Sequence, residues 1–283
     1  AVLPDAVVAP SAFALQHLSV KQLEKEVLRV RGRALASAVI SPGVDVNQFF
    51  NRDRYREEEH LQQLGDLLGA RRRLQAVGFV GRLAPEKNPG LFLQAAYEVL
   101  RRRPLTRFVV VGDGELRPSL EQLARRLKIS HAVEFKGWIS DQETLARILI
   151  SLDVVVNPSL RAWSETFCIS NIEVMSLGIP LVTFAVGGIG EYVREATKTD
   201  NQSALYTVSE NAVIVHTAHP TALAEAALAL LTNHTLRASI GRAGRNTVRK
   251  YFTTERQMQQ YAAFYTSLHH QFKKLREGMP PIL

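Results

Sequence analysis

The sequence has a single cysteine, Cys168, and no long apolar run. One cysteine cannot form an internal disulfide, so a reducing compartment suits the chain and we expect a cytoplasmic protein. No stretch approaches the length of a membrane-spanning helix, and the first residues have neither the basic start nor the apolar core of a signal peptide. These absences argue against a membrane-spanning protein and against a secreted, disulfide-rich one.

Aromatic residues are few, at 7%, and acidic residues are outnumbered, so the formal net charge is +8. A positive field suits a phosphorylated ligand, a nucleic acid or an anionic membrane. The basic clusters are not interspersed with aromatic residues that could stack on bases, so we expect no nucleic-acid partner. The clusters permit peripheral membrane contact without requiring it, and otherwise they are solvated helix ends and loops. They lie at 71–73, 101–103, 125–126 and 273–274.

Metal-binding patterns are also missing. The chain has neither an Asp-x-Asp pair nor a histidine cluster at ligand spacing. Asp113 and Glu115 are the carboxylates that could be imagined on a metal, but they stand in a glycine turn where Glu115 also favours a helix start. We therefore expect no metal and no cofactor.

Short apolar strands alternate with helices from about residue 76 onward. Repeated strand–helix units predict an α/β fold with a doubly wound, Rossmann-like parallel sheet, whose ligands bind at the carboxyl ends of the strands. The predicted strands are 77–81, 108–112, 133–135, 153–156, 180–184 and 212–215, and the predicted helices begin near Pro89 or cover about 115–129 and 141–151.

The two ends of the chain look different from this body. Residues 6–9 are predicted as one strand and about 11–36 as one helix, with no sheet of their own, and 41–45 as a turn or linker. A long helix is predicted from about Thr254 to near Gly278. We therefore divide the chain into 1–40, 41–254 and 255–283, with both ends docking against something else.

The segment 164–180 is the most informative motif. Glu165 is predicted just before an apolar helix and Glu173 two turns inside it, a separation of roughly 12 Å along a helix axis. Free N–H groups at the helix start lie between the two carboxylates, where a diphosphate could rest. Cys168 is predicted in the first turn, as a small packed residue and not a reactive thiol.

Two cations, Arg82 and Lys87, lie on a short loop after the first strand of the body. An arginine fork and a mobile lysine together could neutralise a diphosphate without a metal. Taken alone, the pair could equally be a surface arginine and a lysine at a helix start. Its place at a carboxyl strand end favours the ligand interpretation, and we expect both cations and both glutamates to converge on one crevice at the sheet's rim.

Two further strand ends carry weaker signals. Gly112-Asp-Gly114 resembles a nucleotide-binding glycine turn but lacks the full dinucleotide fingerprint, and it could simply be a tight strand-to-helix turn. Trp138 could lie beside a nucleobase or could be a partly buried aromatic cap over the sheet.

In this order the motifs resemble the retaining glycosyltransferases of family 4, which have the two-domain GT-B fold, over about residues 40–255. The resemblance implies that Arg82 and Lys87 bind the donor diphosphate and offset leaving-group charge, that Glu165 faces the sugar hydroxyls and that Glu173 holds the ribose. The other donor-binding residues it implies are Gly81, Gly112, Gly114, Trp138, Ile139, Thr166, Phe167, Cys168 and Ile169, with Trp138 and Ile139 bordering the base and the backbone amides of 167–169 approaching the sugar and phosphate.

The chain departs from the family pattern in two places. Family members often have glycine where Thr166 and Cys168 stand, so their side chains bear on which sugar fits. Residues 1–40 resemble only the end of the family's N-terminal, acceptor-binding domain, against which the helix 255–283 is expected to pack, so the acceptor domain could be separate.

The resulting prediction is a metal-independent retaining glycosyltransferase that uses a nucleotide-diphosphate-sugar donor. Its acceptor, a glycan, a lipid or a small molecule, is left open. A binding module without its own turnover is the first alternative, motivated by the reduced acceptor domain. A sugar-nucleotide epimerase on a similar fold is the second.

Overall fold

The computed structural model describes residues 6–17, 20–31, 35–56, 74–193 and 203–277, so the basic cluster at 71–73 lies outside it. The alternating pattern folds into a seven-stranded sheet, and a doubly wound sheet was predicted. The strands are β3 (Ala76–Val80), β4 (Arg107–Val111), β5 (Val133–Gly137), β6 (Val154–Asn157), β7 (Leu181–Thr183), β8 (Tyr206–Val208) and β9 (Val213–Val215), after two N-terminal strands described below. Their order in the sheet is β5-β4-β3-β6-β7-β9-β8.

All neighbours in this sheet pair in parallel except β8, which pairs antiparallel with β9. The strand β8 was not predicted, because its three half-buried residues lack the continuous apolar run of the other strands. The helices of the body are α3 (Pro89–Arg102), α4 (Arg117–Arg126), α5 (Gln142–Ile150), α6 (Ile169–Ser176), α7 (Pro220–Thr232) and α8 (His234–Tyr251).

The core lies on both faces of the sheet. Alternate residues of β3 divide between them, with Val77 and Phe79 in one buried cluster and Ala76 in the other. The first cluster includes the apolar faces of α3 and α7, and the second includes α5 and α6. Because every central strand is buried on both sides, its sequence is a continuous apolar run, which is why these strands were predictable.

The direction of winding reverses between β3 and β6. The chain steps outward from β3 to β4 and β5, then returns to place β6 on the other side of β3. The carboxyl ends of these two strands therefore border the crevice where doubly wound folds bind their ligands. The loops that leave them carry Lys87 and Glu165.

The N-terminal part differs from the prediction. The strand β1 (Ala6–Ala9) pairs in parallel with a second strand, β2 (Ala36–Val39), so this part does have a small sheet of its own. The helical stretch predicted over 11–36 is described as α1 (Ala12–His17) and α2 (Val20–Arg31), with 18–19 outside the described residues. The helix does not reach residue 36 as predicted, because 36–39 form β2.

The predicted linker is held firmly against the body. Val44 exchanges backbone hydrogen bonds with the turn before the last helix, accepting from Thr254 and donating to Phe252. Phe50 and Tyr55 are buried among the residues of the second core cluster. The linker therefore fastens the N-terminal part to the sheet.

The last helix, α9 (Thr254–Glu277), begins where predicted, and the expected end near Gly278 lies outside the described residues. Met258 and Tyr265 are exposed along it. Among the helices that the structure describes, none has the length and apolar character needed to span a bilayer. The division of the chain into 1–40, 41–254 and 255–283 stays a prediction.

Candidate active site

A buried ion pair joins the two loops at the reversal point of the sheet. The Lys87 Nζ lies 2.6 Å from Glu165 Oε1, and the two side chains are 20% and 1% exposed. The Glu165 carboxylate is therefore removed from water and neutralised by one cation from the loop after β3. This contact confirms that the sequence brings these two groups to one place.

The loop after β3 aims Lys87 inward. Residues Pro85–Lys87 form a short 3-10 turn, in which the Lys87 N–H donates to the Ala84 carbonyl at 3.0 Å. Asn88 then takes a left-handed conformation, with φ 51°, before Pro89 starts α3. A residue in that conformation ends the turn sharply, which fixes the direction of the lysine before it.

Arg82 does not join the pair, contrary to the predicted convergence of four groups. Its guanidinium lies 2.6 Å from Glu86 on the same loop, and the Arg82 side chain is 68% exposed. The Arg82 guanidinium instead pairs with a carboxylate four residues away in sequence. Within the described structure no ion pair links Arg82 to Glu165 or Glu173.

The loop that carries Glu165 is held by a turn of two glycines. The Gly188 N–H donates to the Glu165 carbonyl at 2.8 Å. A Cβ on Gly188 would lie 2.0 Å from the Thr166 carbonyl oxygen, and a Cβ on Gly187 would lie 2.4 Å from the Glu165 carbonyl oxygen. Only residues without side chains permit this approach.

The N-terminal part supplies a third contact to the same loop. The Ser11 hydroxyl donates to the Thr166 carbonyl at 2.5 Å, and the backbone N–H groups of Ala12 and Phe13 donate to the Glu191 carboxylate. No sequence pattern indicates this contribution, because Ser11 lies more than 150 residues from its partner.

The hydrogen bonds to the Glu165 and Thr166 carbonyls also set the direction of the backbone N–H groups that follow them. In a trans peptide the carbonyl and the following N–H point in opposite directions. With the carbonyls of Glu165 and Thr166 held by Gly188 and Ser11, the N–H groups of 166 and 167 point away from those partners. Among the described residues, no group accepts a hydrogen bond from the N–H of any residue in 166–170.

The helix α6 starts later than predicted, at Ile169, because Cys168 is its N-cap in a left-handed conformation with φ 66°. Glu173 is thus little more than one turn inside the helix, and the roughly 12 Å helical spacing expected from Glu165 does not apply. Cys168 is not in the first turn. Burial, with a smaller contribution from Glu165, raises the pKa of its thiol to about 11, which agrees with a packed, unreactive cysteine.

Glu173 is a largely buried carboxylate with no polar partner in the part of the chain that the structure describes. Burial raises the pKa of the Glu173 carboxyl to about 7. Among the described residues, none donates a hydrogen bond to its side chain. A carboxylate in this position is available to accept hydrogen bonds from a ligand.

The glycine turn after β4 owes its glycines to packing. Gly112 has φ 126°, and a Cβ there would lie 2.0 Å from the Gly81 carbonyl oxygen. A Cβ on Gly114 would lie 2.6 Å from the Leu83 carbonyl oxygen. The Asp113 side chain accepts from the Gly114 N–H at 2.8 Å and from Arg117 at 3.0 Å. These contacts bring the loops after β3 and β4 into direct backbone contact.

Trp138 follows the end of β5 and is 76% exposed, so it is not the partly buried cap that was the alternative interpretation. Ile139 is half-buried and packs against the second core cluster. Trp138 therefore presents aromatic surface at the carboxyl edge of the sheet. Whether it borders a base stays a prediction.

A buried polar network beneath the Glu165 loop was missed by the sequence reasoning. The Asn157 side chain donates to Asn171 at 2.8 Å and lies 3.2 Å from the Cys168 sulfur, and the Asn171 side chain donates to the Tyr192 hydroxyl at 2.9 Å. Asparagines at a strand end and in a helix are too common to stand out in a single sequence. The network links β6, α6 and the glycine turn, and so it positions the loop between them.

Residues 69–247, well over half of the chain, match the family model described as Glycosyl transferases group 1. The chain therefore belongs to this family. It is similar to D-inositol 3-phosphate glycosyltransferases of Corynebacterium urealyticum, with 35% identity over 56% of this chain, and of Mycobacterium marinum, with 36% over 56%. These matches span only 37% and 32% of the length of the two relatives.

Solved structures share the fold. Anabaena HepE, crystallised with UDP and glucose, gives a TM-score of 0.67 at 21% identity, and the match covers 93% of this chain and 63% of the HepE chain. Sucrose-phosphate synthase from Thermosynechococcus elongatus gives 0.68 at 23% identity, with 94% and 59% covered. The C-terminal domain of the Francisella tularensis LpcC protein gives 0.57 at 21%, with 75% and 100% covered. The sheet is therefore the Rossmann-like half of a GT-B fold.

Proposed function

We propose that this chain binds a nucleotide-diphosphate sugar at the reversal point of the sheet and supports retaining transfer of the sugar to an acceptor. The observation that carries the proposal is the Lys87–Glu165 pair beside a run of backbone N–H groups that have no acceptor among the described residues. A cation, a buried carboxylate and open amides are the groups that a diphosphate and a sugar require.

The diphosphate is proposed to lie against Lys87 and the backbone N–H groups of 166–169. Breaking the bond between sugar and diphosphate builds negative charge on the departing phosphate. A fixed cation and preorganised N–H groups stabilise that charge without rearranging during the reaction. Because these groups supply the stabilisation, the proposed mechanism uses no metal. Arg82 lies on the same loop and would reach the outer phosphate only by leaving Glu86.

The sugar is proposed to face Glu165 and the ribose to face Glu173. A carboxylate oxygen accepts hydroxyl hydrogen bonds, and an ionised carboxylate can accept one from each of two vicinal hydroxyls. Lys87 would move its charge from Glu165 toward the diphosphate when the donor binds. Retention of the anomeric configuration enters the proposal from the resemblance to family 4.

The names of the similar proteins support the donor class. HepE has been crystallised with UDP-glucose, and the curated relatives named above are glycosyltransferases. The acceptor, whether glycan, lipid or small molecule, belongs to the proposal only as a class. We also infer a cytoplasmic location, where exposed basic helix ends could meet an anionic membrane surface; at one such end Arg101 and Arg102 pair with Glu98 and Glu225.

A thermal-shift screen with uridine, guanosine and adenosine diphosphates tests donor binding. We expect at least one of them to raise the melting temperature, and Lys87→Ala and Glu173→Ala to weaken the shift about tenfold or more in apparent affinity, since each removes a charged hydrogen bond. Lys128→Ala, on the turn after α4, is the matched control. No shift with any of the three diphosphates would contradict the proposal.

Glu173 makes stability depend on pH. The pKa of the Glu173 carboxyl is about 7 in the folded chain, above its ordinary 4.5. At low pH the carboxyl is protonated in both the folded and the unfolded chain, so no charge is buried and folding pays no electrostatic cost. The cost grows as pH rises from the ordinary pKa through the folded one, and reaches about 3 kcal/mol above it. We therefore expect Glu173→Gln to melt well above the unchanged chain at about pH 8 and close to it at about pH 5. The same difference at both pH values would contradict a buried, unpartnered Glu173.

A second candidate function is nucleotide-sugar binding without turnover. It is favoured by the coverage of the relatives, since this chain matches 37% of the Corynebacterium enzyme. Release of free sugar or transfer to an added acceptor by the chain, abolished in Glu165→Gln, would exclude it. Donor binding with neither activity would favour it over the enzyme.

A further inference from the structure

An exposed tryptophan stands two residues before Glu165, where the core offers no reason for it. Trp163 is 69% exposed, on the loop between β6 and α6. An indole carries a large apolar face, and leaving it in water forgoes the stabilisation that burial would give. The preceding Leu160 is exposed as well. Core packing therefore does not explain Trp163, and a ligand-binding role does.

The loop holds Trp163 on a rigid turn. Residues Ala162–Ser164 form a 3-10 turn in which the N–H groups of Ser164 and Glu165 donate to the carbonyls of Arg161 and Ala162 at 3.0 and 3.2 Å. A Cβ on Gly187 would lie 2.6 Å from the Ala162 carbonyl oxygen, so the glycine turn packs directly beneath. The side chain is presented from a fixed backbone.

A cation accompanies the ring. The Arg161 guanidinium carbon lies over the Trp163 ring, 5.8 Å from its centre, a cation–π distance. Arg161 is exposed and covers one face of the indole, so the apolar surface left for a ligand is the other face, with several hydrogen-bond donors next to it. A flat apolar face edged by donors is complementary to a pyranose, whose C–H groups form an apolar face and whose hydroxyls lie around the rim.

Trp163 stands close to the carboxylate that faces the donor sugar in the proposed function. It lies in the short turn that Glu165 caps, where the Glu165 N–H donates to the Ala162 carbonyl at 3.2 Å. In the proposed function the donor diphosphate takes up the amides at 166–169. A second sugar ring held beside Glu165 would then belong to the acceptor.

We propose that Trp163 and Arg161 form an acceptor subsite that binds a pyranose ring, so that the acceptor is a glycan or glycoside. This inference rests on the proposed function. Insertion into a membrane is the competing use of an exposed tryptophan, but its strength grows with buried apolar area. Here the exposed apolar surface is one indole and one leucine, next to Arg161 and the half-buried Ser164, and this small area favours a single sugar ring.

The chain has two tryptophans, so Trp138→Phe leaves Trp163 as the sole indole fluorophore. This variant would be titrated with the methyl glycosides of glucose, galactose, mannose and N-acetylglucosamine, with the nucleoside diphosphate that gives the largest thermal shift present. We expect a saturable change in emission with at least one glycoside. Sorbitol, which has hydroxyls but no ring, should give none, and Trp163→Phe, which reports Trp138 alone, should give none with any glycoside.

Binding measured by calorimetry should weaken about tenfold or more in Trp163→Ala, and about threefold in Arg161→Ala, while Leu105→Ala on the far edge of the sheet should leave it unchanged. No glycoside response, or an equal response to sorbitol, would overturn the subsite. A blue shift of the Trp163 emission with phosphatidylcholine–phosphatidylserine vesicles, and no response to glycosides, would overturn the subsite in favour of membrane binding.

Donor binding is tested separately from the subsite. If the diphosphate still shifts the melting temperature of Trp163→Ala, failure of the subsite leaves the donor-binding proposal intact. If no diphosphate shifts the melting temperature of the unchanged chain, the proposed function itself fails.

Discussion

Replacing Lys87 by methionine is expected to lower the free energy of unfolding by about 3 kcal/mol, because it leaves Glu165 charged, buried and unpaired. The Glu165 side chain is 1% exposed, so water cannot replace the lost cation. This expected loss of free energy is at the lower end of the range for buried ion pairs, because a fifth of the Lys87 side chain remains exposed. Urea denaturation of the two proteins side by side measures the difference.

The matched control is Arg82→Met. Arg82 lies on the same loop and forms an ion pair of the same 2.6 Å length with Glu86, but its side chain is mostly exposed. Exposed pairs contribute at most about 1 kcal/mol. Adding Glu165→Gln to Lys87→Met should recover most of the lost stability, since no buried charge then remains. Equal losses for Lys87→Met and Arg82→Met would contradict the buried pair.

Gly188→Ala is expected to abolish nucleoside-diphosphate binding, although Gly188 is not among the residues proposed to hold the ligand. The new Cβ would lie 2.0 Å from the Thr166 carbonyl oxygen, so the backbone that presents the open amides must move. Overpacking of this kind costs about 1–3 kcal/mol of stability. Thermal shift with the active diphosphate measures the loss of binding, and urea denaturation measures the loss of stability.

Gly90→Ala provides the control for a glycine-to-alanine change. Its Cβ would lie 4.0 Å from a Leu123 methyl carbon, an ordinary contact, and Gly90 is inside α3. Alanine in a helix is favoured over glycine by up to about 1 kcal/mol, so this variant should be as stable as the unchanged chain or more stable. Full diphosphate binding by Gly188→Ala would contradict the role assigned to the glycine turn.

The sheet could be predicted because burial on both faces leaves a clear mark in sequence. Strands such as Arg107–Val111 and Val154–Asn157 are apolar almost throughout, and turns with glycine separate them from helices. Tyr206–Val208 lies at the edge, is half-buried and leaves no such mark. The strand Ala36–Val39 was missed for the same reason, since its residues alternate between half-buried and exposed and continue a helical pattern.

The site was predictable only where residue type and strand end coincide. Lys87 and Glu165 each follow a strand of the reversal point, so topology alone brings them together. The direction of Arg82 depends on its local partner Glu86, which strand order does not determine. The late start of α6 depends on the backbone of Cys168, and a cysteine gives no warning of a left-handed conformation. Ser11 and the Asn157–Asn171–Tyr192 network act through contacts that are distant in sequence.

A crystal structure of the chain with the nucleoside diphosphate that gives the largest thermal shift tests the central claim most directly. We expect diphosphate oxygens within hydrogen-bond distance of Lys87 Nζ and of backbone N–H groups in 166–169, with the ribose hydroxyls on the Glu173 carboxylate. A nucleotide bound elsewhere on the molecule, with Lys87 still paired to Glu165 and those N–H groups untouched, would contradict it.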